Sequence, residues 1–235
     1  MENENKKSDF LLPASILVAG ILISGSVIYL VGSKNQVGVG ANNNQLAAIG
    51  GDKKAPEISN RDVILGDPNA PVSVIEYGDY QCPFCGKFWN EVEPQLRENY
   101  IKTGKVKMVY RSFTFLGPES TAAAQAAECA KDQKQFWAFH DLVYKSEVKD
   151  GSENNGNLNR NLFLQLAADA KLDVKAFTEC IDSNKYKDQV SRENEEARSA
   201  GVDSTPTVFI NNQKIAGALP YSEFKSVIDN ILKNK

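Results

Sequence analysis

The chain has 235 residues, a formal net charge of −3, and a composition that is 42% hydrophobic and 24% charged. That length supports one domain with a sizeable core, plus appendages. Lysine and arginine are spread along the chain without a basic stripe, which argues against nucleic acid as a partner.

Residues 1–9 are polar and carry Lys6 and Lys7, and residues 10–33 carry no charge. Within that segment Ala14 to Val31 is strongly apolar. At the helical rise of about 1.5 Å per residue this run spans ~27 Å, close to the ~30 Å hydrocarbon core of a bilayer. Lys34 follows it, and two positive charges before the run against one after favour a cytoplasmic N-terminus, residues 1–9. The segment is therefore expected to be a transmembrane anchor. A cleaved signal peptide, with secretion, is the competing reading, but its apolar region is only ~7–15 residues long. No small-x-small site follows closely here. Both readings export the rest of the chain, and cysteines in an exported protein point to disulfides.

Residues 34–57 are rich in Gly, Asn and Ala and have no apolar periodicity, so they read as a flexible tether. A random coil of ~23 residues has a root-mean-square span of ~26 Å, enough for a domain to sample the membrane surface. Gly38-Val39-Gly40 lacks the preceding strand and following helix of a phosphate loop. The folded domain is expected over residues 58–235.

Gly66-Asp67-Pro68-Asn69-Ala70-Pro71 is turn chemistry. Val72 to Tyr77 then reads as a strand, 87–100 as a helix and 106–113 as a second strand. Strand, helix, strand at this spacing is a βαβ unit with parallel strands. The next block, about 117–201, reads as a helical insertion. Ser120 to Ala130 is Ala-rich, while Phe136, Phe139 and Val143, and then Leu158, Leu162 and Leu166, recur at helical spacing. Asp173 and Ser183 look like helix starts, and 149–157 like a loop. Thr207 to Ile210 is a strand, Asn211-Asn212 a tight hairpin turn and 214–218 the returning strand. Residues 221–233 form a closing helix with Phe224, Val227, Ile228 and Leu232 on one face. The fold class is thus α/β, in the order βαβ, helical insertion, ββα. No internal repeat is visible.

Cys82-Pro83-Phe84-Cys85 falls where the first strand passes into the helix. A CxxC in that position is the signature of a thioredoxin-type redox site. Cys82 sits at the helix N-terminus, where free N–H groups and the macrodipole favour a thiolate. Cys85, one turn in, resolves a mixed disulfide formed by Cys82. Pro83 suits the first helical position, and Phe84 offers the thiolate no charge. Half of a zinc site is the rival reading. It lacks a second CxxC, and the chain has only four Cys and one His, so no metal site is assigned. His140 reads as a packing or surface residue without ligand partners. Trp89 and Trp137 read as core, and 131–134 and 193–198 as solvated helix faces.

Residues 66–72 and 76–85, with Ala126-Ala127-Glu128-Cys129-Ala130, Phe136-Trp137-Ala138-Phe139-His140-Asp141, Gly201-Val202-Asp203-Ser204-Thr205-Pro206-Thr207 and Gly217-Ala218-Leu219-Pro220, resemble the DsbA-like thiol–disulfide oxidoreductases. The likeness runs from about Arg61 to the C-terminus and is closest to their membrane-anchored or secreted branch. It implies a thioredoxin-like fold and a redox-active Cys82–Cys85 pair with no further cofactor. It also implies a cis Thr205-Pro206 bond that faces the cysteines, contacts substrate together with Pro83 and Phe84, and crowds out metal. Glu76 falls where relatives keep a buried acid that shuttles the Cys85 proton; a solvent-facing charge at a strand edge is the alternative. Cys129 and Cys180 fall where relatives pair cysteines structurally. Two free thiols and a second redox pair are the alternatives. Exported thiol or disulfide proteins are the implied substrates, and a quinone-linked membrane protein the implied re-oxidase. The direction is expected to be oxidation, with reductase or isomerase activity as its reverse. A chaperone-like binding module with a structural CxxC is the non-enzymatic rival. Two departures stand out: Ser204 where many relatives have Gly, and Phe84 where the strongest oxidants have His.

Overall fold

The computed structural model of the protein describes residues 55–147 and 152–234. The expected anchor over 10–33 and most of the tether lie outside them. Among the described residues no helix is long and apolar enough to cross a membrane.

The centre is a four-stranded sheet in the order β2-β1-β3-β4. Strands β1 (Val72–Gly78) and β2 (Val106–Ser112) pair in parallel, from Val72 opposite Val106 to Gly78 opposite Ser112. Strand β3 (Thr207–Ile210) runs antiparallel to β1, and β4 (Gln213–Ala216) antiparallel to β3. Asn211-Asn212 makes the turn between them, with Asn211 at φ 48°. The returning strand starts one residue earlier than expected and ends at Ala216, where Gly217 takes φ 88°. Period-2 alternation sorts β1: Val72 and Val74 face one apolar cluster, Ile75 and Tyr77 the other. Glu76 therefore shares the face of Val72 and Val74.

Helix α1 (Pro83–Glu91), α2 (Glu93–Leu96) and a π-helical turn (Arg97–Ile101) form the crossover. The expected helix over 87–100 is thus longer and segmented. It begins at Pro83, whose missing N–H costs nothing at a helix start. It breaks at Val92 because Pro94 cannot donate into the preceding turn. Phe88, Val92 and Leu96 pack with Phe224, Val227 and Ile228 of the closing helix (Tyr221–Lys233) on the Val72 face of the sheet.

The insertion holds α3 (Pro118–Asp132), α4 (Phe136–Glu147), α5 (Arg160–Asp169), α6 (Val174–Asp182) and α7 (Lys187–Ser199). Asp173 caps α6 as expected, accepting from the N–H groups of Lys175 and Ala176. Ser183 does not start a helix. It ends α6, and Asn184 at φ 53° turns the chain before α7 begins. Leu158 precedes α5 but is buried among the insertion's apolar side chains. Cys129 of α3 and Cys180 of α6 form a disulfide with a Cα–Cα distance of 5.9 Å. The fold starts slightly before the expected boundary. Ala55 is buried against the Ile75 face, and Arg111 Nη2 donates to the Glu57 carbonyl at 2.6 Å.

Candidate active site

The site forms where β1 turns into α1. Gly78 ends β1 because a Cβ there would stand 2.5 Å from the Tyr110 ring. Asp79 then clamps the turn. Its Oδ1 accepts from Gln81 N–H at 3.0 Å, and its Oδ2 from the N–H groups of Phe115 and Leu116 at 3.1 and 3.2 Å. Its carbonyl accepts from Cys82 N–H at 3.0 Å. This tie between the cysteine turn and the segment after β2 was not anticipated from the sequence. A lone Asp in turn chemistry carries no mark of what it caps.

Cys82 is the N-cap of α1, and Cys82 and Cys85 are free thiols. Cys82 keeps a sliver of exposure, Cys85 has none, and Phe84 between them is 63% exposed. The Cys82 thiol is lowered to about 6, first because the Cys85 thiol donates to it. The Thr205 hydroxyl and the backbone N–H groups of Cys85 and Phe84 act in the same direction, and burial opposes them. Phe84 thus helps through its backbone, not its ring. Burial pushes the Cys85 thiol well up, and the charges of Cys82 and Glu76 push it further. One sulfur is tuned as nucleophile and the other as the proton-holding partner.

The Thr205-Pro206 bond is cis, and the Thr205 carbonyl lies 3.5 Å from Cys82 Sγ. Glu76 is buried in the central strand, so the solvent-facing alternative is overturned: β1 has partners on both sides. Burial holds its carboxyl well above the usual range, and the charges of Glu93 and Cys82 add to this while Arg97 opposes. A groove beside the cysteines is lined by Tyr80, Cys82, Pro83, Lys87 and Glu91, among others.

His140 is fully buried, and its surroundings correct the expectation that it lacks ligand-type neighbours. Glu93 and Asp141 stand with it close enough to share an ion. The Arg97 guanidinium already fills that role. It donates from Nε to Glu93 Oε1 at 2.8 Å and from both terminal nitrogens to Asp141 at 2.7 Å. Trp89 and Trp137 are half-buried, each donating its indole N–H, to Asp141 at 3.0 Å and to the Val63 carbonyl at 3.1 Å. Glu193 departs from a plain solvated face. Burial against Glu128 raises its carboxyl to about 7.

A thioredoxin-like sheet with an activated Cys82 over a buried Cys85 defines a thiol–disulfide oxidoreductase. The comparisons agree. The family model described as thioredoxin matches residues 59–230. The chain is 30% identical to the probable disulfide bond formation protein D of Bacillus anthracis over 97% of this chain and 99% of that one. It is 30% identical to the disulfide bond formation protein D of Bacillus subtilis over 73% and 78% of the two chains. Among solved structures, oxidised BdbD from Bacillus subtilis superposes with a TM-score of 0.70 and 29% identity, covering 77% of this chain and 97% of that one. Wolbachia pipientis alpha-DsbA1 superposes at 0.67 with 29% identity, covering 76% and 94%. The chain belongs to the thioredoxin family and, within it, to the DsbA-like thiol–disulfide oxidoreductases. Such proteins work through a redox-active disulfide without an external cofactor.

A titration follows from the thiolate geometry. In the reduced full chain, the rate of Cys82 alkylation by iodoacetamide is expected to rise with a midpoint near pH 6. A midpoint at about 8.5, the value of a free thiol, contradicts it.

Proposed function

We propose that the chain is a membrane-anchored, extracytoplasmic oxidase that introduces disulfides into exported proteins through Cys82 and Cys85. The observation that supports exchange at this pair is the split between the two thiols, Cys82 lowered to about 6 and Cys85 raised. In the oxidised protein a substrate thiolate attacks Cys82 Sγ. The Cys82–Cys85 bond breaks, a substrate–Cys82 bond forms, and the electron pair stays on Cys85 Sγ. Cys85 is basic in its buried setting and takes a proton, for which Glu76 is the source. A second substrate thiol displaces Cys82, the better leaving group because its thiolate is the more stable. The products are an oxidised substrate and the dithiol.

The Thr205 carbonyl beside Cys82, Pro206, Pro83 and the exposed Phe84 form the surface that meets the substrate strand. Cys129–Cys180 serves as a structural bond. The apolar segment over 10–33 holds the domain at the outer face of the membrane, within reach of a quinone-linked re-oxidase. The names of the Bacillus relatives, disulfide bond formation proteins, support the oxidising direction. To test it, oxidised full chain is mixed with a reduced two-cysteine peptide at pH 7. The expected result is an oxidised peptide and one equivalent of protein dithiol. An untouched peptide, with the reduced chain instead opening peptide disulfides, favours the reductase reading.

A further inference from the structure

Both Glu76 carboxylate oxygens, Glu93 Oε2 and His140 Nε2 are buried without a hydrogen-bond partner among the described residues. A buried polar atom left unpaired is costly, and more so when charged. Glu93 Oε2 lies 3.7 Å from His140 Nε2, and Glu93 is the charged neighbour that acts most strongly on Glu76. Internal water commonly satisfies such a group of atoms and carries protons between them.

Glu93 is placed to connect this interior to solvent. It is 1% exposed, yet its Oε1 is held by Arg97, whose side chain is 27% exposed. Arg97 in turn grips Asp141, 34% exposed. Trp89, Glu93, Arg97 and Asp141 line one surface groove, which adjoins the groove beside Cys82 at Asn90. His140 fixes the inner side. Burial keeps the Tyr80 phenol protonated, and its hydroxyl shares a hydrogen bond with His140 Nδ1 at 3.2 Å. His140 Nε2 lies 3.7 Å from Glu93 Oε2 on the other side of the ring. The remaining groups facing Glu76 are Cys82 and Cys85 from the α1 side and the phenols of Tyr110 and Tyr144, which burial keeps protonated.

We propose that Glu93, oriented by Arg97 and His140, is the relay through which Glu76 exchanges its proton with solvent at the Trp89–Arg97–Asp141 groove. The proposal rests on the exchange reading above. When the Cys82–Cys85 bond opens and Cys85 thiolate takes the Glu76 proton, Glu76 becomes a second buried carboxylate within electrostatic reach of Glu93. Like charges there disfavour the state. A proton entering through Glu93 restores Glu76; on re-oxidation the proton leaves by the same route. Glu93 and His140 are positioning residues, acting on the sulfurs only through Glu76. Glu93 carries no mark of this in the sequence, where an acid between α1 and Pro94 looks like surface.

The test uses the full chain and two readouts. The first is the infrared carbonyl band of the protonated Glu76, assigned by its loss in Glu76→Gln and titrated in the dithiol form. The second is the decay of Cys85 thiolate absorbance after oxidised protein meets excess reduced peptide. In Glu93→Gln the band midpoint is expected to fall by at least about one pH unit, because the charge that raised it is gone. Thiolate decay is expected to slow at least tenfold. Glu93→Asp keeps the charge and is expected to restore the midpoint. A folded Glu93→Gln with wild-type midpoint and decay overturns the relay. If that variant does not fold, His140→Gln carries the test: slowing of at least fivefold is expected, and unchanged decay overturns the proposal. A wild-type protein that does not cycle at all instead overturns the exchange reading on which the relay rests.

Discussion

Cys82→Ser reduces disulfide transfer to the uncatalysed rate. A hydroxyl cannot form the substrate–Cys82 bond, so no intermediate exists for Cys85 or a second substrate thiol to resolve. The substitution is clean because Cys82 is the N-cap of α1 and makes no side-chain cap bond. Serine is among the preferred N-cap residues, so the helix start keeps its stability or gains some. Loss of transfer with an unchanged melting temperature is therefore the expected pair of results, read by peptide oxidation and thermal unfolding. Cys85→Ser is expected to behave differently. Its Cys82 remains a nucleophile and accumulates as a mixed disulfide with a peptide disulfide, because the resolving thiol is gone. If Cys82→Ser transfers disulfides at the wild-type rate, the CxxC is structural and the protein is a binding module.

Removing the Cys129–Cys180 bond has the largest expected effect on stability. The cysteines are 51 residues apart, and they tie α3 to α6. In the chain-entropy picture a loop of that size is worth about 4 kcal/mol. At roughly 2–4 °C per kcal/mol for a domain of this size, Cys129→Ala with Cys180→Ala lowers the melting temperature by about 8–16 °C. The comparison is made without reductant, with the Cys82–Cys85 pair in the same redox state in both proteins. A structural bond leaves disulfide transfer per folded molecule unchanged. A fall in that rate of tenfold or more assigns the second pair to the redox cycle instead.

The sheet and the cysteine turn were legible because their signals are local. Val72 to Tyr77 and Thr207 to Ile210 are β-branched or aromatic runs bounded by turn residues. Asn211-Asn212 announces its own hairpin. Cys82 could be placed at a helix start because Pro83 belongs at a first helical position. The same logic failed at Ser183, which has an N-cap side chain but ends α6: Asn184 in the left-handed region decides the turn. The break between α1 and α2 coincides with Pro94, while Phe88, Val92 and Leu96 keep one apolar face across it. The groups around Glu76 were the least legible. Glu93 and Arg97 pair at i,i+4, but His140 reaches Glu93 only because α4 packs against the crossover that begins with α1, and no spacing in the chain encodes that contact. Resemblance placed Glu76 near the dithiol; only the register of β1, set by its pairing on both sides, shows why it must be buried there.

Phe84 connects sequence and structure most directly, since it offers no polar side chain and leaves thiolate stabilisation to the Cys85 thiol, Thr205 and the backbone. A thiolate stabilised in the dithiol form makes the disulfide more oxidising. The nucleophilic thiol stands near 7 in thioredoxin and near 3.5 in DsbA, and Cys82 at about 6 lies between them. The decisive measurement is the equilibrium reduction potential of the Cys82–Cys85 pair in the full chain, titrated against glutathione at pH 7. The expected result is a reversible two-electron couple on the order of −200 mV, between about −270 mV for thioredoxin and about −120 mV for DsbA. A potential at or below about −270 mV contradicts the oxidase direction, and a pair that does not cycle contradicts the enzymatic reading altogether.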